Sequence, residues 1–179
     1  DDLVASAYTA YGIACSGTGD PGDYHDGLAA LEDWITFSDR SGDASQGVHS
    51  RVGLARLHMN ARLENEKVMM LLDAALAKAG PDPGLLAEVH LALGACHLGR
   101  REWSLAVRHL DDCMLHAKEI DAQNYCREAH FLLGQAYHGL GQESGCVHHF
   151  RQALRFRGVT RDVMEKKVTN YCRNNRINL

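Results

Sequence analysis

Two stretches of this chain repeat each other forty residues apart, and no other feature restricts its fold so tightly. The first runs from Leu91 through Leu93, Gly94, His97 and Gly99, with Trp103, Ala106 and Leu110 beyond. The second runs from Phe131 through Leu133, Gly134, Tyr137, Gly139 and Gly141, with Cys146, Phe150 and Ala153 beyond. Leu93/Leu133, Gly94/Gly134, His97/Tyr137, Gly99/Gly139, Leu110/Phe150 and Cys113/Ala153 correspond position for position. A fixed period of this length marks an array of similar supersecondary units. One unit cannot bury its own apolar face, so neighbours must stack. Such arrays usually bind other molecules rather than catalyse.

The 179 residues suit one domain or one short array, and a 45% hydrophobic content supports a folded chain. No apolar run approaches the ~18 residues that a membrane span requires. The N-terminus is acidic and lacks a basic-then-apolar leader. It also lacks an initiator Met, so a piece cut from a longer protein is expected. Four of the six cysteines fall inside helical apolar patterns, as buried thiols do, and there is no CxxC. A reducing, cytoplasmic setting is expected. Charge is uneven: residues 1–40 hold eight acids against one Arg, and residues 151–179 hold eight Lys/Arg against two acids. The basic end reads as the solvated face of a final helix rather than a nucleic-acid or lipid site.

Apolar residues recur at three- and four-residue steps nearly everywhere, and strand alternation is absent. The pattern predicts nine helices, over about 3–15, 24–38, 44–62, 65–78, 84–98, 103–118, 121–139, 143–156 and 161–174. Gly17 to Gly22 breaks the first from the second. Asp43 and Asp82 are placed to cap the helices that follow them, with Pro83 favourable at a first helical position. Short loops between paired helices predict antiparallel hairpins. Gly94 and Gly134, with Ala106 and Ala153, are expected to let helix backbones approach closely.

These residues resemble the tetratricopeptide repeat. That motif has a Leu-Gly pair, an aromatic three residues later, then a small, a large and a small residue on the second helix. Leu93, Gly94, His97, Ala106, Leu110 and Cys113 match, with His for the aromatic. Leu133, Gly134, Tyr137, Cys146, Phe150 and Ala153 match better. A weaker copy is Leu54, Ala55, His58, Lys67, Leu71 and Ala74, in which Lys67 departs from the pattern. The most degenerate is Ile13 and Ala14 followed by Ala30, Trp34 and Phe37. A spacing near forty is similar to the long-period subgroup that includes rapsyn, the Pins/LGN scaffolds and bacterial pheromone sensors. The resemblance implies an all-α solenoid of antiparallel helix pairs wound as a right-handed superhelix. It implies repeats near 3–40, 43–80, 83–120 and 122–158 and a C-terminal capping helix near 160–175, forming one domain. It also implies a concave groove, lined by the first helices, that takes an extended or helical peptide.

The groove positions then flank the conserved-spacing glycine of each first helix. They are Tyr8 and Tyr11; His49, Val52, Arg56, Met59 and Asn60; Glu88, Leu91, Ala95 and Leu98; and Glu128, Phe131, Gln135 and His138. Packing between repeats is the competing role for Val52, Leu91 and Leu98. The Lys/Asn clamp by which some members of the family hold a chaperone's terminal carboxylate is absent, since only Arg56 could meet a carboxylate there.

Cys113/His116, Cys126/His130 and Cys146/His149 sit at helical neighbour spacing, and two such pairs would have to converge to close a zinc site. The packing positions of Cys113, Cys146 and His130 favour a structural role, so no metal or cofactor is expected. His148 and His149 point to adjacent helix faces, which leaves one of them exposed. There is no GxSxG, HExxH or phosphate loop, and an enzyme is not expected. The expectation is a non-catalytic scaffold or adaptor that binds a protein or peptide. The alternatives are head-to-tail self-assembly of the acidic and basic ends, or a peptide- or small-ligand sensor within a larger regulator. Nucleic acid is not expected, because few stacking aromatics accompany Arg151, Arg155, Arg157, Arg161, Lys166 and Lys167.

Overall fold

The computed structural model describes residues 21–62, 65–156 and 161–179. The helix expected over 3–15, with Tyr8, Tyr11 and Cys15, lies outside them. Eight helices and no strand occur among the described residues. They are α1 (Pro21–Ser41), α2 (Ala44–Asn60), α3 (Asn65–Ala79), α4 (Pro83–Gly99), α5 (Trp103–Glu119), α6 (Gln123–Gly139), α7 (Glu143–Arg155) and α8 (Arg161–Asn175). The last seven agree with the predicted spans to within about two residues at each end. α1 differs more. Its helix already includes Pro21 and Gly22, which the sequence pattern assigned to a loop; a first-turn proline forfeits only an N–H that would have no helical partner. No described helix is long and apolar enough to cross a membrane.

The fold is all-α, with successive helices packed in pairs. The chain divides into two compact units, Asp1–Ala92 and Leu93–Leu179, with the division inside α4. In the first unit α1 packs on α2 and α2 on α3. Leu31, Trp34, Leu54 and Leu57 form its core, with Leu28, Ile35 and Leu71 packed against them. The Trp34 indole N–H donates to Gln46 Oε1 at 3.1 Å, so burying the ring leaves no orphaned donor. Arg51, itself buried, holds the Asp39 carboxylate with both contacts through Nη2 at 2.7 and 2.9 Å, and donates from Nη1 to the Gly47 carbonyl at 3.0 Å. Lys78 of α3 reaches the same carboxylate at 3.0 Å. One acid thereby links α1, α2 and α3, and the hydrogen bonds from Arg51 and Lys78 hold its pKa below the ordinary value.

The weak motif copies fall in a different register from the one the sequence suggested. Val68, Leu72 and Ala75 are buried in α3, whereas Lys67 and Ala74 are exposed. The buried triplet is displaced by one residue, with Val68 in place of a small first member. Its cause is the connection: residues 61–64 join α2 to α3, one residue more than 100–102 between α4 and α5 or 140–142 between α6 and α7. In α1, Trp34 is buried as expected, but Phe37 is exposed and Ser38 takes the buried position.

In the second unit α5 packs on α6, α6 on α7, and α7 on α8. The forty-residue period is here a period of contacts. A Cβ built on Gly94 would lie 2.6 Å from the side chain of Leu110, and one built on Gly134 would lie 2.5 Å from the ring of Phe150. Each glycine therefore seats a large side chain of the next helix, rather than admitting a second backbone as the sequence suggested. His97 stacks on His109 with ring centroids 5.2 Å apart, and Tyr137 on His149 at 5.0 Å, one period later. Ala106, Leu110 and Cys113 are wholly buried, as are Cys146, Phe150 and Ala153.

The turns repeat as well. Left-handed backbone at Gly42, Arg62, Gly80, Arg101, Asp121 and Gly141 punctuates the chain at steps of about twenty residues. Behind three of them the chain folds back with the same bond: Glu102 N–H to His97 O, Ala122 N–H to Ala117 O, and Gln142 N–H to Tyr137 O, each 2.8–2.9 Å. This closure satisfies carbonyls at one helix end and aims the next helix. Left-handed conformation at Arg62 and Asp121 also explains why α2 stops at Asn60 and α6 starts at Gln123, slightly inside the predicted spans. Asp43 accepts from Gln46 N–H at 3.0 Å, and Asp82 from Gly84 and Leu85 N–H at 2.8 and 3.0 Å, as capping residues do.

Gly94→Ala and Gly134→Ala should each destabilise the chain by about 1–3 kcal/mol, because the new methyl overlaps a packed side chain. Gly99→Ala, with nothing within 4 Å of the added Cβ, should be neutral or stabilising by up to about 1 kcal/mol. Urea unfolding of the three variants checks this; equal effects at Gly94 and Gly99 would contradict the packing described.

Candidate functional site

α6 carries two different surfaces. It buries Cys126, Ala129, Leu133, Gly134 and Ala136, as the three- and four-residue spacing requires. On one flank stand the expected groove positions Glu128, Phe131, Gln135 and His138, all half-buried. Three of these are engaged by α8. Lys167 Nζ lies 3.2 Å from Glu128 Oε2 and 5.9 Å from the Phe131 ring centroid. Tyr171 meets Phe131 edge to face at 6.4 Å, and its hydroxyl lies 3.2 Å from His138 Nδ1. Gln135 stands among them. α8 is anchored there by Met164, Val168 and Cys172, which share a core with Cys146, Phe150 and Ala153. Its opposite face presents Arg161, Lys166 and Arg173 to solvent.

The other expected groove positions divide by burial. In the first unit Val52, Glu88 and Leu91 are buried, Arg56 and Met59 are half-buried, and Asn60 is exposed. In the second unit Leu98 is buried and Ala95 half-buried. Val52, Leu91 and Leu98 thus occupy packed positions. Glu88 is only 1% exposed, and its Oε2 lies 2.7 Å from His49 Nδ1. The hydrogen-bonding carboxylate raises the His49 pKa against the opposing pull of desolvation. The two form a close pair, ionic when His49 is protonated.

The second surface of α6 borders a cleft of about 500 Å³ between the last turns of α5 and α7 and the first turn of α6. Lys118, Gln123, His130, Gln152, Arg155 and Phe156 line it, together with Asp121 and Cys126. Residue spacing had marked Cys126 and His130 as one helix face. It had not shown that the ends of three helices meet there, because spacing within one helix does not say which neighbouring helix ends pack beside it. Deep in this region His130 Nδ1 lies 2.9 Å from His149 Nδ1. Two of the three Cys/His pairs do converge, then, but through their histidines. Cys146 turns away into the α7–α8 core. His148 is exposed and His149 is stacked on Tyr137, as their adjacent positions predicted.

The buried groups of this region are neutral. Burial, with the Lys118 charge added, holds His130 down at about 4, and burial together with His130 and His148 does the same to His149. At pH 7 one imidazole donates and the other accepts. Burial raises the Cys126 thiol, the reverse of what a nucleophile needs. The same cause raises Cys96 and Cys172, and pushes Cys146 up to about 11.

A scan against protein-family models finds no match for this chain, and a search of the curated proteins finds none either.

The histidine pair gives stability a definite pH sign. In the unfolded chain these imidazoles titrate near 6.5, and in the folded unit near 4. Between those values the unfolded state binds more protons, so the pair's contribution is intact above about 6.5 and falls as pH drops toward 4. The raised His49 acts oppositely: its contribution is full below about 6.5 and is lost as pH rises through the folded value. Thermal unfolding should show the second unit losing stability from pH 7 to pH 5, and the double variant His130→Gln, His149→Gln should flatten that slope. An unchanged slope would contradict the assignment.

Proposed function

We propose that this chain is a non-catalytic interaction module built from long-period tetratricopeptide-like repeats, with first-helix faces that hold a peptide or a partner helix. The observation that carries the reading is the repeated seat of a large side chain on a first-helix glycine, Leu110 on Gly94 and Phe150 on Gly134. That contact is what a Leu-Gly pair followed by a small–large–small helix is for.

Two further observations support an interaction role. His130, His149 and the described thiols are buried and neutral, and Glu88 lies beside His49, which suits a scaffold better than acid–base chemistry. α8 lies along the expected groove flank of α6 and engages it through an ion pair, a cation over a ring and an edge-to-face aromatic contact. That face thus accepts an amphipathic helix carrying a Lys and a Tyr one turn apart, the helix-in-groove mode of recognition. Of the expected set, Asn60 is exposed and Arg56 and Met59 half-buried in the first unit, and Ala95 and Gln135 are half-buried in the second. A cytoplasmic setting accords with the buried thiols.

A displayed peptide library panned on the chain should enrich sequences that bind in the micromolar range. Asn60→Lys should weaken peptides held by the first unit and Gln135→Lys those held by the second, each about tenfold or more. Leu115→Lys, at an exposed second-helix position, should leave binding unchanged. No enrichment, or equal losses from all three variants, would overturn the reading.

A further inference from the structure

We infer that the cleft bordered by α5, α6 and α7 is a binding site for an organic phosphomonoester, held by Lys118 and Arg155 with its apolar body against Phe156. This does not rest on the peptide-face reading, because the cleft lies on the other flank of α6.

The charges come first. Lys118 and Arg155 both line the cleft, and among the described residues neither has a carboxylate in ion-pair range. Arg155 makes one weak contact, Nη1 to Gln152 Oε1 at 3.4 Å. Asp121 also borders the space, so the three groups leave an excess of one positive charge. Two cations without a direct ion pair, lining one concave surface with a net excess of one positive charge, are an arrangement that an oxyanion completes. The field is already felt by the protein, since the Lys118 charge contributes to keeping His130 unprotonated.

The neutral groups are suited to the same ligand. Gln123 and Gln152 bring amide donors to the cleft. Gln123 opens α6, but its own N–H is bonded to the Asp121 carbonyl and those of Tyr125 and Cys126 to the Ala122 carbonyl, so the site rests on its side chains. A dianionic phosphoryl group matches a forked guanidinium, an ammonium and amide donors better than a carboxylate does. The space, about 500 Å³, is that of a pocket for a molecule with an organic body rather than for a bare ion. Phe156 and Ala117 give that body an apolar wall.

The test is an NMR titration of the whole chain with phenyl phosphate, inorganic phosphate, benzoate and phenol. Phenyl phosphate should bind tightest and shift the amides around Gln123, His130 and Gln152. Lys118→Met and Arg155→Met should each weaken it about tenfold, with melting temperatures unchanged because both side chains are exposed. Lys166→Met, on the solvent face of α8, should have no effect. A phosphotyrosyl peptide that binds better than phenyl phosphate would assign the group to a polypeptide, and a weaker one to a small molecule; either supports the site. No perturbation at millimolar ligand, equal binding of benzoate, or full binding by both methionine variants would overturn it. Inorganic phosphate binding as tightly as phenyl phosphate would overturn the organic part of the assignment.

Discussion

A large side chain of one helix rests on a glycine of the helix before it, and the rest of each hairpin follows from that contact. With no Cβ at Gly134 the Phe150 ring can lie against the helix backbone, wholly buried. That distance places Cys146 and Ala153, one turn to either side, where only small residues fit. It also sets where the aromatic of the first helix must go, so Tyr137 stacks on His149 as His97 stacks on His109. The dispersion gained across such a contact is individually small, but it is lost as a set when the two helices are pushed apart.

Much of this was legible in the sequence because the constraints are local. Helix ends followed from Asp43, Asp82, Pro83 and the glycines, and the period followed from Gly94 and Gly134. What was misread has physical causes of two kinds. The triplet on α3 was placed one residue early, because the longer connection at 61–64 shifts every later contact without altering the helical pattern. Phe37 was expected inside, as hydrophobicity alone favours, but a helix face is selected by its neighbours and not by its own composition, and Ser38 takes the buried place. Left-handed turns at Arg62, Arg101 and Asp121 carry no glycine, so only Gly42, Gly80 and Gly141 announced themselves.

The functional surfaces were less legible, because they depend on which side chains find partners. Glu88 and His49 look like isolated polar groups on a groove face, yet they meet at 2.7 Å. Glu128, Phe131 and His138 look free until α8 is placed beside them. Conversely, Lys118 and Arg155 look like ordinary solvated charges, each standing at an exposed position in the last turn of its helix. Only the meeting of three helix ends gives them a common ligand. A repeat predicts its own core well and its exceptions poorly, and binding is made from the exceptions.

The account stands on the forty-residue period being a period of contacts and not of letters. The most direct measurement is a nuclear Overhauser spectrum of the isotopically labelled chain, read at two glycines. Cross-peaks from the Gly94 α-protons to the Leu110 methyls, and from the Gly134 α-protons to the Phe150 ring, are the predicted result. Absence of either set, or cross-peaks from one glycine to a different helix, would contradict it.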